Sequence, residues 1–366
     1  MKPKYLYIDD ESPEQLKSIV NGFNDVGIIE VELVNLEESR SFETLKSFII
    51  KQKPDGLIID LRLDGEGINR LDFPATTLAQ DLRTLAASKE ISFFPMVLCS
   101  TSPKMRKTYD TDKTSHDLFD YKFEKSQSPE WEKFSNKLKS LSDNYKRIVE
   151  NKLTVDDILD RKDWQKFDRR IFEKFFDKEY DFYVNDIAQF IIKELFHHQG
   201  ILIKERNFAA RLGVDIESSG ENWTKLKDDF FKDCKYNGVF GDGWERWWFD
   251  RIEEKFEKIS QGAKLQSLNA KQRIEFLNQL GFNLSPAEPI KPYCKSTEFW
   301  TICEFFKRPL DPLEGIRIFE STEIKPWQEP KYLSNTAALE RRGRDKGLRP
   351  HPSELERLEE LKEMFS

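Results

Sequence analysis

Five side chains that could carry out chemistry stand at the ends of hydrophobic stretches in the first third of the chain. Asp9 and Asp10 follow one such stretch, and Asp60, Ser100 and Lys125 each end a later one. If the stretches are parallel strands, these side chains meet beyond the carboxyl edge of one sheet. Three carboxylates in one place ionise cheaply only when a cation joins them, and Mg²⁺ with oxygen ligands is the natural partner. A carboxylate beside Mg²⁺ and a lysine can attack a phosphoryl group, while a hydroxyl binds a phosphoryl oxygen.

The elements that must position these side chains alternate between strand and helix patterns. Strand patterns cover residues 4–8, 28–34, 57–60, 93–99 and 118–124, and helix patterns cover 13–23, 42–50, 71–87 and 129–149. The apolar run at 57–59, opened by Pro-Asp-Gly and closed by Asp60, is typical of a strand that is buried on both faces of a parallel sheet. The alternation predicts an α/β N-terminal domain with a flavodoxin-like, doubly wound, five-stranded parallel sheet.

The motifs at the strand ends resemble the receiver domain of two-component response regulators over about residues 1–150. They are Ile8-Asp9-Asp10-Glu11, Ile59-Asp60-Leu61-Arg62-Leu63, Val97-Leu98-Cys99-Ser100-Thr101 and Lys125, in that order. The resemblance implies that Asp60 is the phospho-accepting aspartate. It also implies a Mg²⁺ site made by Asp10, Asp60 and the backbone carbonyl of Arg62, with Asp9 in support. Ser100 would be the switch hydroxyl and Lys125 the phosphate-contacting base. The implied partner is a histidine kinase or a phosphotransfer protein.

Four features depart from the receiver pattern. Asp64 stands where receivers commonly have Pro, Thr101 stands where they have Ala, and Ser126 follows Lys125 in place of the usual Pro. The spacing between Asp60 and the hydroxyl is also longer than usual, which predicts an enlarged loop at residues 64–74.

Two assignments stay open within the site. Lys122 rivals Lys125 as the phosphate-contacting lysine, and Lys125 is preferred because it ends the strand. The aromatic switch on that strand is either Tyr121 or Phe123.

The rest of the chain has helical patterns of apolar residues and many charged residues. We predict a receiver domain over residues 1–128, a long helix or linker over 129–182, and a mainly α-helical output or interaction region over 183–366. Prolines accumulate near 281–293, where the output region could break into two subdomains. The pattern from 145 to 181 predicts either a continuous helix that extends the last receiver helix, or a packed connector.

Three tryptophans form the main landmark of the output region. Trp244, Trp247 and Trp248 have the i, i+3, i+4 spacing that places side chains on one side of a helix. Packing in a core is the default interpretation. The alternative is a partner surface on which Arg246 is a polar anchor, because Trp and Arg dominate interface hot spots.

Two other motifs of this region carry weaker predictions. Residues 201–215 resemble the first part of a helix-turn-helix, but the acidic segment that follows lacks the residues of a recognition helix. His197 and His198 are adjacent and so do not share a helix face, and no second ligand cluster follows at metal spacing. We therefore predict neither DNA reading nor a metal site here.

Composition limits the class of protein. Charged residues make up 34% and aromatic residues 13%, which argues against disorder, and the net charge of −7 gives no general attraction to nucleic acid. Four scattered cysteines without a C-x-x-C pair favour a reducing compartment. No stretch resembles a signal peptide or reaches the length of a membrane helix. We expect a cytoplasmic protein with no membrane partner.

These observations predict a phosphorelay signalling protein. A histidine kinase or phosphotransfer protein would phosphorylate Asp60 with Mg²⁺, and the receiver would act on a helical protein-interaction region or serve as a phosphate sink. A protein partner of the C-terminal region and a homodimer are both compatible with this prediction. The alternatives are a DNA-binding transcriptional regulator and an effector enzyme under receiver control. No enzymatic chemistry is predicted beyond the receiver's own phosphorylation and dephosphorylation.

Overall fold

The chain divides into two units, each with its own core. The structure, a computed structural model, describes residues 1–101, 117–125, 130–151, 153–173 and 183–365. The N-terminal unit comprises Met1–Glu194 together with Asn237–Trp244, and the C-terminal unit comprises Leu195–Tyr236 and Glu245–Ser366. The predicted boundaries at residues 128 and 182 both fall inside the N-terminal unit. In the described part of the chain, no helix is long and apolar enough to cross a membrane.

A five-stranded parallel sheet forms the centre of the N-terminal unit. Its strands are β1 (Lys4–Ile8), β2 (Glu30–Leu33), β3 (Gly56–Asp60), β4 (Met96–Ser100) and β5 (Tyr121–Glu124). They pair in the order β2-β1-β3-β4-β5, and every pair is parallel. All five residues of β3 are buried, as the apolar run at this position predicts. The predicted doubly wound sheet is therefore confirmed.

Four described helices cover the two faces of this sheet. They are α1 (Pro13–Val26), α2 (Phe42–Gln52), α3 (Ala75–Ala87) and α4 (Trp131–Glu150). Leu45, Ile49 and Leu78 of α2 and α3 pack with Leu57 and Ile59 on one face. On the other face, Phe23 of α1 meets Trp131 of α4 with ring centroids 4.8 Å apart. Helix α1 begins where the sequence predicts, because Ser12 forms a capping box with Gln15.

The region after α4 is not a continuous helix. Helix α4 ends at Glu150, and α5 (Val155–Leu159), two 3₁₀ turns (Trp164–Lys166 and Arg169–Ile171) and α6 (Val184–Gln189) follow separately. The continuous-helix interpretation of residues 145–181 is wrong up to residue 173, where the described segment ends. The amide of Asn151 bonds the Arg147 carbonyl, and a Thr154–Asp157 capping box starts a new helix. Both arrangements favour a helix boundary between 151 and 154.

The C-terminal unit is mainly helical, as predicted. Its helices are α7 (Glu205–Leu212), α8 (Ile216–Ser219), α9 (Glu221–Lys225), α10 (Phe249–Ile259), α11 (Ala270–Asn278), α12 (Asn335–Leu339) and α13 (Leu355–Phe365). Three short antiparallel strand pairs accompany them: β6 (Leu202–Ile203) with β7 (Trp247–Trp248), β8 (Thr301–Ile302) with β9 (Pro309–Leu310), and β10 (Gly315–Arg317) with β11 (Tyr332–Ser334). One hydrophobic cluster draws on residues 203–284 and another on 290–358.

The segment that resembles a helix-turn-helix has only its first helix. Helix α7 ends at Gly213, whose φ of 76° is the left-handed conformation that suits glycine. Helix α8 then has four residues and an acidic cap at Asp215. A four-residue helix is too short to present a series of side chains to base edges in a major groove. This segment gives the DNA-binding alternative no support.

Candidate functional site

The side chains singled out by the sequence meet beyond the carboxyl edge of the sheet. Asp9 and Asp10 directly follow β1, Asp60 ends β3, Ser100 ends β4, and Lys125 directly follows β5. Parallel strand order brings these ends together at the position where β1 lies between β2 and β3. Four of the five residues, all except Lys125, are at most 2% exposed. The site is a buried cluster of charges.

Lys125 links two of the carboxylates. Its Nζ lies 2.6 Å from Asp9 Oδ2 and 2.9 Å from Asp60 Oδ1. Asp9 Oδ2 also accepts the Tyr7 hydroxyl at 2.6 Å, and Asp60 Oδ2 accepts the backbone N–H of Arg62 at 2.8 Å. The Lys125 ammonium thus forms ion pairs with both Asp9 and Asp60.

Asp10 lies against two glycines, Gly65 and Gly67, of the loop after β3. Its Oδ2 accepts the backbone N–H of Gly67 at 2.9 Å. A Cβ atom placed on Gly65 would lie 2.9 Å from Asp10 Oδ2 and 3.0 Å from the Arg62 carbonyl oxygen. The two oxygens predicted to bind Mg²⁺ therefore converge on one point, which a side chain at position 65 would fill.

The enlarged loop lies directly against this carboxylate. Asn69 donates its backbone N–H to the Asp10 carbonyl at 3.0 Å, and the Leu71 N–H bonds the Leu63 carbonyl at 2.7 Å. Leu63 and Leu71 are buried in the sheet's core. The loop is thus anchored at its base and packs over Asp10. Asp64 pairs with the Arg62 guanidinium at 3.0 Å.

Burial and mutual contacts shift the pKa values of the charged groups in the cluster. Burial raises the pKa of Asp9 to about 6; Lys125 opposes this shift, and Asp60 adds to it. Burial alone would lower the pKa of Lys125, but Asp9 and Asp60 together raise it well above its usual value. Lys125 thus contacts the buried carboxylates of Asp9 and Asp60, and the buried Asp10 follows Asp9 directly in the chain. The donors are carboxylate and carbonyl oxygens, the ligands that Mg²⁺ prefers, so the residues present fit this ion.

Ser100 has unused hydrogen-bonding capacity. The residue is fully buried, and its Oγ has no hydrogen-bond partner in the described part of the chain. Buried hydroxyls are nearly always paired, and an unpaired one costs free energy. An oxyanion on Asp60 would supply the missing acceptor. Thr101 follows directly and is partly buried.

The two lysines that compete for the phosphate-contacting role are in different environments. Lys125 contacts Asp9 and Asp60, whereas Lys122 lies on the exposed side of β5. The geometry therefore brings only Lys125 of these two into the acidic cluster.

The two candidate switch aromatics on β5 also have different surroundings. Phe123 is buried against Phe23 and Phe134, with centroid distances of 5.8 and 5.1 Å. The Tyr121 hydroxyl accepts a hydrogen bond from Lys137 Nζ at 2.9 Å, and its ring meets Trp244 edge to face at 5.4 Å. Burial, with a smaller contribution from Glu130, raises the pKa of Tyr121 to about 12. Phe123 is part of the core, while Tyr121 joins the core to a distant part of the chain.

That distant part is Asn237–Trp244, here called the returning segment because it belongs to the N-terminal unit. The Asp242 carboxylate accepts hydrogen bonds from Ser140 Oγ at 2.5 Å and Asn144 Nδ2 at 3.2 Å, both on α4. A Cβ atom on Gly243 would lie 2.7 Å from Ser140 Cβ, so only glycine permits this approach. The sequence shows a turn at Gly-Asp-Gly but gives no signal of where that turn packs.

The predicted partner surface of tryptophans does not exist as a helix face. Trp247 and Trp248 form β7 and are fully buried, and Trp244 is 7% exposed in the turn before it. Arg246 donates to the Phe196 carbonyl from Nη2 at 2.8 Å. The partner-surface hypothesis for Trp244, Arg246, Trp247 and Trp248 is wrong, and the default of core packing is confirmed. Pairing of β7 with β6 sets this arrangement, and local spacing cannot reveal it.

Comparison with known proteins gives a limited result. No protein-family model and no curated protein matches the chain. Among solved structures, the chain is similar to the phosphorylated cyanobacterial phytochrome response regulator RcpA. The sequence identity is 15% and the TM-score 0.25, over 42% of this chain and 98% of that one. The strand order itself gives the N-terminal unit its class, a flavodoxin-like, receiver-like fold.

Proposed function

We propose that the N-terminal unit is a phosphoryl-accepting signalling module in which Asp60 is phosphorylated by a phosphohistidine donor. The observation that carries the proposal is the Lys125 ammonium, which contacts both Asp9 and Asp60 inside a buried acidic cluster. In the reaction, an Asp60 carboxylate oxygen bonds to phosphorus while the phosphorus–nitrogen bond of the donor breaks. The imidazole leaving group keeps the electron pair of that bond and takes up a proton.

Each residue of the cluster has a distinct role in this proposal. Asp10, Asp60 and the Arg62 carbonyl would hold Mg²⁺, with Asp9 in support, and the ion would offset the charge of the transferring oxygens. Lys125 would contact a phosphoryl oxygen in exchange for its present contact with Asp60. Ser100 would donate its unpaired hydroxyl to another oxygen.

The change at Asp60 would pass along β5. Lys125 follows the end of this strand and Tyr121 begins it, so a shift of Lys125 toward the phosphoryl group moves the element that positions Tyr121. Tyr121 contacts Lys137 and Trp244, the last residue of the returning segment. The proposed output is a change in how this segment packs, which alters the surface offered to a protein partner. The donor would be a histidine kinase or a phosphotransfer protein.

The first experiment is chemical phosphorylation of the full chain. We expect radiolabelled acetyl phosphate with Mg²⁺ to transfer label to the wild type, and EDTA to abolish the transfer. Asp60→Asn should take up no label, whereas Asp72→Asn, an exposed aspartate of the nearby loop, should behave like the wild type. Absence of label in the wild type with acetyl phosphate and with a phosphohistidine protein, or equal labelling of Asp60→Asn, would contradict the proposal.

A further inference from the structure

A cluster of basic side chains surrounds the short stretch Phe196–His198 in the C-terminal unit. Lys204 Nζ donates to the His197 carbonyl at 3.0 Å, and Arg246 Nη2 donates to the neighbouring Phe196 carbonyl at 2.8 Å. Lys331 Nζ lies 3.2 Å from His197 Nε2. Three cationic side chains from distant parts of the sequence thus converge on two consecutive residues, Phe196 and His197.

Two of these cations have no carboxylate partner. In the described residues, Lys204 and Arg246 make no ion pair within 4.0 Å. Their hydrogen bonds go to backbone carbonyls, including that of Glu245 for Arg246. Two neighbouring carboxylates already form ion pairs with other lysines. Glu320 pairs with Lys331 at 2.6 Å, and Glu304 pairs with Lys307 at 2.5 Å. The cluster therefore holds two cationic side chains without a direct carboxylate contact, although the whole chain has a net charge of −7.

The lowered pKa of Lys204 is consistent with the other positive charges nearby. Burial, followed by the nearby Arg246 and Lys331, lowers the pKa of Lys204 to about 7. Burial also lowers the pKa of Arg246 to about 10. Lys204 is in addition the residue that precedes α7, where the helix dipole disfavours a cation and favours an anion. Each of these effects would be relieved by a bound anion.

A metal ion is the competing occupant of the same region. His197, His198 and Glu320 each offer a ligand atom, and these atoms lie within 4.8 Å of one another. The Lys331 ammonium, however, already contacts Glu320 Oε2 and His197 Nε2. A divalent cation would have to displace it and would then face Lys204 and Arg246 in a partly buried environment, where like charges repel strongly. The charges therefore favour an anion.

We propose that Lys204, Arg246 and His197 form a binding site for an oxyanion the size of a phosphate group. Lys204 uses one of its three ammonium protons on a carbonyl, which leaves two for a ligand, and His197 is an exposed residue. The buried Nδ1 of the neighbouring His198 has no partner in the described residues. The ligand is inorganic phosphate or the phosphate of a small phosphomonoester. The site lies in the C-terminal unit and is independent of Asp60.

Calorimetric titration of the full chain with inorganic phosphate tests the site. The buffer contains EDTA, so that no divalent cation can bring phosphate to the acidic cluster, and the ionic strength is matched with chloride. We expect saturable binding to the wild type that is about 10-fold or more weaker in Lys204→Met, because a charge-assisted contact is lost. Lys204→Arg should retain binding, and Lys271→Met, an exposed lysine of the same unit, should match the wild type.

A second readout distinguishes the ligands and guards against misfolding. The chain has four histidines, so the His197 ring resonance can be assigned by comparison with His197→Gln. We expect phosphate to shift that resonance, and phosphoserine to compete if the natural ligand is a phosphomonoester. No saturable phosphate binding in the wild type, or equal binding to a folded Lys204→Met, would overturn the proposal. A response to Zn²⁺ without a response to phosphate would overturn it in favour of a metal site.

Discussion

Lys125 holds two buried carboxylates together, and its removal has a consequence that depends on pH. Replacement by Met leaves Asp9 and Asp60 without their cation, which should cost about 3 kcal/mol of unfolding free energy at pH 7.5. The pKa of Asp9 is already raised to about 6, above its unfolded value of about 3.9, so Asp9 destabilises the fold as pH rises through this window. At pH 5 Asp9 is protonated, and we expect the loss in Lys125→Met to be smaller by at least about 1 kcal/mol.

Urea unfolding at pH 5 and pH 7.5 measures this difference. Lys122→Met is the matched control, because Lys122 lies on the same strand but on its exposed side. We expect that control to change stability by less than about 0.5 kcal/mol at either pH. Equal losses for Lys125→Met at the two pH values would show that the ammonium does not compensate Asp9.

Lys204 should destabilise the folded chain when it is charged and no anion is bound. Its pKa falls from about 10.4 in the unfolded chain to about 7 in the folded chain. The cost is full below pH 7 and disappears as pH rises toward the unfolded value, where both states are neutral. In phosphate-free buffer we expect Lys204→Met to be more stable than the wild type by on the order of 2 kcal/mol at pH 6.5.

At pH 9.5 we expect a much smaller difference in stability between Lys204→Met and the wild type. Thermal unfolding at pH 6.5 and pH 9.5 measures this difference. Lys271→Met controls for the loss of a positive charge from an acidic protein. A Lys204→Met variant that is equally stable with the wild type at pH 6.5 would mean that the folded protein tolerates the charge without cost.

Residue types at strand ends could be predicted from the sequence, whereas contacts made through loops could not. Asp9, Asp10 and Asp60 stand beside apolar runs, and parallel pairing alone brings such positions together. The approach of the Arg62 carbonyl to Asp10 depends on how residues 64–74 fold back. That path is fixed by the burial of Leu63 and Leu71 and by bonds to Asp10, none of which has a periodic signature.

At the scale of elements, the returning segment and α4 should be energetically coupled. Ser140 and Asp242 share a partly buried hydrogen bond, and Asn144 donates to the same carboxylate. In a double-mutant cycle of Ser140→Ala and Asp242→Ala, we expect a coupling energy of about 1 kcal/mol or more, measured by urea unfolding. The pair Ser140→Ala and Asp72→Ala has no contact in the structure and should give a coupling near zero. Coupling near zero for both pairs would mean that the segment does not pack on α4 in solution.

Element predictions failed where a partner distant in sequence decides the conformation. The spacing of Trp244, Trp247 and Trp248 fits a helix, yet the last two pair as a strand with Leu202 and Ile203. A helical pattern also runs from residue 145 onward, but the competing bonds of Asn151 and Thr154 divide it. Secondary-structure propensity and the spacing of apolar residues depend only on nearby sequence. At these positions, contacts with distant residues determined the conformation instead. The strands β1, β3 and β4 were predictable because buried parallel strands are apolar along most of their length, whereas β2 and β5 alternate between polar and apolar residues.

At the scale of the whole molecule, the assignment of residues to units could not be anticipated. The predicted boundaries divide the chain into consecutive pieces, whereas eight residues from the middle of the chain, Asn237–Trp244, belong to the N-terminal unit. The residues that flank them, Tyr236 and Glu245, belong to the other unit. Residues of this segment contact Tyr121, Ser140 and Asn144 of the N-terminal unit, and the composition of the chain does not predict these contacts.

This chain connectivity gives the proposed phosphorylation a physical route to the C-terminal half. Addition of beryllofluoride and Mg²⁺, which mimic a phosphoryl group on Asp60, should draw Lys125 away from Asp60 and disturb β5. Tyr121 lies on that strand and contacts Trp244, so hydrogen exchange in peptides covering 237–244 should change at least several-fold.

Peptides covering α11, in the other unit, serve as an internal reference. Asp60→Asn should show no change with the same reagents. The wild type could bind the mimic, as judged by its ¹⁹F resonance, while exchange in 237–244 stays unchanged. That result would contradict the proposed route through this segment.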